Sequence, residues 1–170
     1  ILSKQASSFN ARGPDTTKGD CMREALGEAF PRLGAEFKNL IVLSPDTSRT
    51  TGAAKFRDAY PDRFICTGVS EMNTIGMAAG LALEGYRPLV VGLAMFVVGK
   101  PWEPMRNSIA YPGLKVTIVA THTGINVGPD GVTHQMIEDL ALMRVIPGML
   151  VLAPTDPGQV FAAVRTAIAH

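Results

Sequence analysis

A regular alternation constrains this chain more than any other feature. Short apolar runs rich in β-branched residues fall at residues 40–43, 63–66, 88–93, 116–120 and 149–152. Between them lie segments of helical spacing at residues 22–37, 71–84, 103–111, 135–145 and 158–168. Strands apolar on both faces need cover on both sides, which a parallel sheet wound through helices supplies. The expected fold is therefore α/β: a doubly wound, mostly parallel sheet with helices on both faces. A chain of 170 residues suffices for one such domain with a full core. Pro31, Pro104 and Pro147 are expected at helix ends or bends. Residues 1–20 are polar and rich in turn formers, so they read as an arm, and residues 21–170 as the domain.

Composition removes several classes of function. Lys plus Arg is 16 and Asp plus Glu 15, so no net field recruits nucleic acid or anionic membrane. The apolar uncharged stretches 72–83 and 88–99 are twelve residues each, short of the about twenty that span a bilayer. The start, Ile1-Leu2-Ser3-Lys4, lacks the apolar run of a signal peptide. Cys21 and Cys66 fit neither a disulfide framework nor a zinc pattern and read as buried free thiols. Together these points lead us to expect a cytoplasmic protein. Charged residues are 18% of the chain, against about 25% in an average soluble domain. Some of its surface is thus expected to be covered by something other than water.

In doubly wound sheets, ligands bind outside the carboxyl ends of the strands. There the sequence places Ser44-Pro45-Asp46 with Arg49-Thr50, residues 67–71, residues 93–96, and Thr121-His122. A glycine-rich loop follows, containing Asp130 and running into Thr133-His134. Glu71 has two readings. Behind Ser70 it fits a capped helix start with a carboxylate on the dipole. It also fits an acid facing a cleft, holding its proton by burial. His122 and His134 are either hydrogen-bonded loop residues or part of an acid–base site for a polar substrate. The loop matches neither a dinucleotide fingerprint nor a P-loop. Phe96 reads as core or ligand contact, and Arg23 as solvated charge or anchor. The residues alone reach a small-molecule enzyme or binding domain.

Longer stretches carry a resemblance. Val69-Ser70-Glu71-Met72-Asn73, followed by Gly76-Met77-Ala78-Ala79-Gly80-Leu81-Ala82, resembles the glutamate motif of transketolases. Met105-Arg106-Asn107-Ser108-Ile109-Ala110-Tyr111 and Ile118-Val119-Ala120-Thr121-His122 continue it in order. So does Val127-Gly128-Pro129-Asp130-Gly131-Val132-Thr133-His134-Gln135, with Glu138-Asp139 after it. From about residue 21 to 170 the chain is similar to the pyrimidine-binding domain of transketolases, in particular the C-terminal subunit of split ones.

That resemblance implies thiamine diphosphate as cofactor and transfer of a two-carbon ketol unit from a ketose to an aldose. It makes Glu71 the carboxyl that shares a proton with the aminopyrimidine ring, and His134 a second catalytic group. Phe96 matches an aromatic packed on that ring, Leu93 stands where another aromatic is common, and Val69 matches a further apolar contact. Asp46 matches a residue at the cofactor interface. His122, Asp130 and His134 match groups that hydrogen-bond the sugar, and Arg23 and Thr50 match positions that hold its phosphate. Two departures stand out. Ala153 replaces a common arginine and Pro129 a common acidic residue, which weakens the expectation of a phosphorylated substrate. No Gly-Asp-Gly segment with a later asparagine occurs. Magnesium and the diphosphate are therefore expected in a partner, an N-terminal diphosphate-binding subunit, within a heterotetramer. The rival readings are a β subunit of a 2-oxo-acid dehydrogenase and a non-catalytic partner that kept the fold. The residue 130–134 loop, suited to hydroxylated sugars, favours the transketolase reading.

Overall fold

The computed structural model describes residues 21–125 and 127–170; the arm expected over residues 1–20 lies outside them. Four of the five apolar runs pair into one sheet. Its strands are β1 (Leu40–Ser44), β2 (Phe64–Cys66), β3 (Arg87–Leu93) and β4 (Thr117–Thr121). They lie in the order β2-β1-β3-β4 with every pair parallel. Leu43 stands beside Val90, and Val90 beside Ile118.

Alternation along the central strands sorts their side chains into two cores. Leu40, Val42, Leu89 and Val91 pack with Phe30 and Leu33 of α1 (Met22–Glu36) and Phe56 of α2 (Ala54–Ala59). Val160 and Val164 of α6 (Pro157–Ala169) close the same layer. Ile41, Leu43 and Val90 face the other way, onto Ile75 and Ala78 of α3 (Glu71–Leu83) and Met143 of α5 (Asp139–Arg144). Each fully buried side chain of this kind contributes about 1.5–3 kcal/mol, so the two layers fix the orientation of β1 and β3.

The structure departs from the sequence reading in three places. Residues 103–111 are not a regular α-helix: one turn, α4 (Trp102–Pro104), lies between π-helical stretches at Met95–Gly99 and Met105–Ala110. The helix expected over residues 135–145 is confined to α5. Pro31, expected at a helix end or bend, lies inside α1, which continues to Glu36 with Phe30 and Leu33 beside it wholly buried. Residues 149–152 take no place in the sheet. A four-residue apolar run fixes burial but not pairing. β4 is thereby the edge strand, half-buried throughout, and a cleft of about 1020 Å³ separates it from residues 148–154.

Candidate active site

Because the strands are all parallel, their carboxyl ends share one edge. Beyond it lie Asp46 after β1, Val69 and Glu71 after β2, Leu93 and Phe96 after β3, and His122 after β4. Adjacent strands β1 and β3 send the chain to opposite faces, to α2 and to the first π-helical stretch, and such a reversal is where the ligand crevice of an open α/β sheet forms. Gly92 keeps the crevice tight. A Cβ there would collide with Val97 Cγ1 and lie 3.4 Å from Pro45 Cγ. α1 ends just before β1 begins, so its first turn, with Arg23, returns to the same edge. The loop carrying Thr50 rests on that turn through Gly52, where a Cβ would meet the Arg23 carbonyl oxygen at 3.1 Å.

Glu71 opens α3 and is only 5% exposed. A carboxylate so buried requires compensation. It comes from Lys100, whose Nζ donates to Glu71 Oε2 at 2.7 Å. Ser70 holds the N-cap position, but its hydroxyl donates to the Thr67 carbonyl at 2.8 Å and caps nothing. The Thr74 hydroxyl donates to the Ser70 carbonyl at 3.0 Å and lies 2.6 Å from the Thr67 hydroxyl. These bonds brace the turn that presents Glu71; Ser70 makes no side-chain cap, while Glu71 does stand in the first turn of α3, where a carboxylate favours the dipole.

Lys100 extends the site. Its ammonium stands 5.5 Å from the centroid of the Phe96 ring, a cation–ring contact. The Phe96 and His134 rings meet edge to face, with centroids 5.0 Å apart and planes at 90°. Phe96 sits in the π-helical stretch Met95–Gly99, a local geometry common at functional sites. Glu71, Lys100, Phe96 and His134 thus form one connected wall. Lys100 went unnoticed in the sequence. The signal available was its place four residues after Phe96, as the first charge after an uncharged stretch.

The histidines are held locally. His134 Nδ1 lies 2.9 Å from the Thr133 hydroxyl. The Thr121 hydroxyl donates to the Gly92 carbonyl at 3.1 Å, so its oxygen accepts from His122 Nδ1 at 2.8 Å. A neutral His122 then carries its proton on Nδ1, which leaves Nε2 as an acceptor. His122 (φ 56°) and Asp46 (φ 60°) both adopt the left-handed region, a conformation concentrated at functional sites.

Among the described residues, no hydrogen bond or ring contact ties the remaining candidates to this wall. Leu93 is buried beneath the edge, and Val69 is 78% exposed. Arg23, Thr50 and Asp130 are exposed. Asp46 is also exposed, and its carboxylate accepts a long contact, 3.9 Å, from Cys66 Sγ. Cys21 and Cys66 are free but exposed, not buried as their residue type led us to expect. Among the described residues, no three His, Cys, Asp or Glu side chains gather to hold a metal, and no helix is long and apolar enough to cross a membrane.

With this geometry in hand, the comparisons with known proteins become specific. The family model described as transketolase, pyrimidine binding domain, matches residues 21–170. The chain belongs to the transketolase family. It is 50% identical over 145 residues to a protein of Methanocaldococcus jannaschii named as a transketolase C-terminal section, a match spanning 85% of this chain and 46% of that protein. It is 35% identical to a 1-deoxy-D-xylulose-5-phosphate synthase of Desulfotalea psychrophila, over 85% of this chain and 22% of that one. A split-gene transketolase, described as an inactive beta4 tetramer, superposes with TM-score 0.78 at 44% identity. That superposition covers 89% of this chain and 49% of the other. Transketolase from Leishmania mexicana gives TM-score 0.82 at 26% identity, over 96% of this chain and 25% of its own. The present chain therefore spans half or less of the proteins it matches. It is the pyrimidine-binding portion of a transketolase-type protein, and that family depends on thiamine diphosphate. The residues present suit the ring end of that cofactor, because a buried carboxyl and an aromatic face lie within reach of one lysine side chain.

Proposed function

We propose that this chain is the pyrimidine-binding subunit of a thiamine-diphosphate-dependent transketolase, moving a two-carbon ketol unit between a ketose donor and an aldose acceptor. The carrying observation is Glu71: a carboxyl 5% exposed, at the carboxyl edge, on the same wall as Phe96. When bound, thiamine diphosphate supplies a nucleophilic carbon and an electron sink for cleavage beside a ketose carbonyl. Glu71 shares a proton with a nitrogen of the aminopyrimidine ring, in a place where burial keeps water from competing. Phe96, with Leu93 and Val69, gives the ring its apolar contacts, and Asp46 meets the cofactor from the β1 side. His122, Asp130 and His134 bind sugar hydroxyls, and His134 moves protons during transfer. Arg23 and Thr50 receive a phosphate where the substrate carries one.

In this reading an N-terminal subunit holds the diphosphate and magnesium, and the two kinds of chain form a heterotetramer. The naming of the Methanocaldococcus relative and the split-gene neighbour support that division. Two exposed cysteines without a disulfide suit a reducing cytoplasm. A second reading has a specific basis in the synthase relatives, 31–35% identical over about 85% of this chain: formation of a 1-deoxy-ketose phosphate.

One experiment separates these readings. The purified chain is assayed alone and with a diphosphate-binding subunit, for ketol transfer and for 1-deoxy-ketose phosphate formation. We expect thiamine-diphosphate-dependent ketol transfer only from the assembled pair. Full turnover by the isolated chain overturns the divided site, and synthase activity without ketol transfer overturns the transketolase reading.

A further inference from the structure

We propose that Lys100 is a positioning residue for Glu71, pinning one carboxylate oxygen so that the other is presented to the cofactor ring. The proposal rests on the pyrimidine-binding reading above. Its basis is geometric. Lys100 Nζ donates to Oε2 at 2.7 Å, while among the described residues nothing donates a hydrogen bond to Oε1. The two oxygens are thus inequivalent, one engaged within the chain and one free to accept from a ligand.

The lysine is itself placed by the protein. Its side chain is half exposed, which leaves the ammonium hydrated on one side, and its charge lies over the Phe96 face. Phe96 is fixed in turn by the perpendicular His134 ring. A glutamate with three rotatable bonds needs such a constraint to hold an oxygen in one direction. Without Lys100, a buried carboxylate is left uncompensated and relaxes toward water. Carboxyl and aromatic face then no longer meet the same ring together. Arginine, which is also cationic and reaches as far, preserves the pin; methionine, similar in length, does not.

The full chain, isotopically labelled, is tested as wild type, Lys100→Met, Lys100→Arg and Glu71→Gln. The first measurement is the ζ-ammonium NMR signal of Lys100. Slow proton exchange in wild type, lost in Glu71→Gln, is expected. An ammonium that exchanges like a free surface lysine and ignores Glu71→Gln overturns the proposal. The second is titration with 4-amino-5-hydroxymethyl-2-methylpyrimidine, which lacks a diphosphate and so reports the ring end alone. Lys100→Met is expected to weaken this ring about tenfold, with Lys100→Arg within about twofold of wild type and amide spectra unchanged away from the site. Equal affinity in wild type and Lys100→Met overturns the positioning role. A wild-type chain that takes no ring at all overturns the pyrimidine reading and the positioning role with it. The ammonium signal still reports the ion pair in that case, so the two failures are distinguishable.

Discussion

The two sides of the carboxyl edge are built differently. On one, Glu71, Lys100, Phe96 and His134 hold one another by an ion pair, a cation–ring contact and an edge-to-face ring pair. On the other, Arg23 and Thr50 are exposed, as is Asp130 in the loop before His134, and among the described residues no side-chain hydrogen bond engages the three. The contrast separates what one chain organises alone from what it offers across a gap. A ring-binding wall needs buried groups, and buried groups must be satisfied internally before any ligand arrives. Groups proposed to meet a sugar or its phosphate can stay hydrated and need no partner in this chain.

The hardest blow to the organised wall is Glu71→Gln. Shape and volume are kept, so the fold is expected to survive although the ion pair with Lys100 is lost. The proton-sharing carboxyl is gone. Turnover of the assembled enzyme at saturating cofactor should fall on the order of 10³-fold, the scale of a positioned acid–base group. Near-normal kcat in this variant removes Glu71 from the chemistry and leaves the wall a structural feature.

The same contrast explains what could be read from the sequence. β1 and β3 were legible because Leu40–Leu43 and Leu89–Val91 are apolar on consecutive positions, and the structure buries both of their faces. Glu71 and His122 were legible because a strand end followed by a polar residue has few places to go in a parallel sheet. Residues 149–152 show the same apolar texture, yet pairing depends on hydrogen-bond partners that side chains do not encode. The π-helical stretch Met105–Ala110 was hidden inside the helical spacing of residues 103–111, because an inserted residue in a short segment barely disturbs the apolar period, whereas Met95–Gly99 lay outside every segment read as helical. Ser70 has the right residue type for a cap, but residue type does not say that its hydroxyl turns back to Thr67. Lys100 was invisible for a plainer reason: its partner is 29 residues away, a contact that only the packing of α3 against the turn after β3 creates.

A smaller effect tests whether the organised wall depends on the crevice floor. Gly92→Ala places a methyl group against Val97 Cγ1 and close to Pro45. Val97 is buried and β-branched, so it cannot swing clear, and its neighbour in the chain is Phe96. Overpacking of this sort costs about 1–3 kcal/mol. A lower urea midpoint with an unchanged slope is expected, together with weaker thiamine diphosphate binding by the assembled enzyme. Unchanged stability would mean that the β3–π-helical junction is loosely packed and that the wall is less fixed than its contacts imply.

The smallest effect is expected on the open side, at Arg23. It lies in the first turn of α1, where, among the described residues, no side chain caps the first backbone N–H groups. A phosphate reaching this turn would meet both the positive end of a helix and an arginine fork. Thr50 is carried next to the same turn by the close approach of Gly52. The position that often holds a further arginine in transketolases is Ala153, which is exposed and has no charge to offer. Phosphate recognition on this chain therefore rests on few groups and should be modest. Arg23→Ala is expected to lower the ratio of kcat/KM for a phosphorylated sugar over its unphosphorylated counterpart roughly tenfold, the worth of one charge-assisted hydrogen-bonding group. Values for the unphosphorylated sugar should not move, because an exposed arginine contributes little to the fold and nothing to the ring wall. Should both substrates lose equally, Arg23 would be acting on the structure of the edge. Should a large phosphate preference persist untouched, the phosphate would be read by residues outside this chain, and the open side would belong to the partner as well.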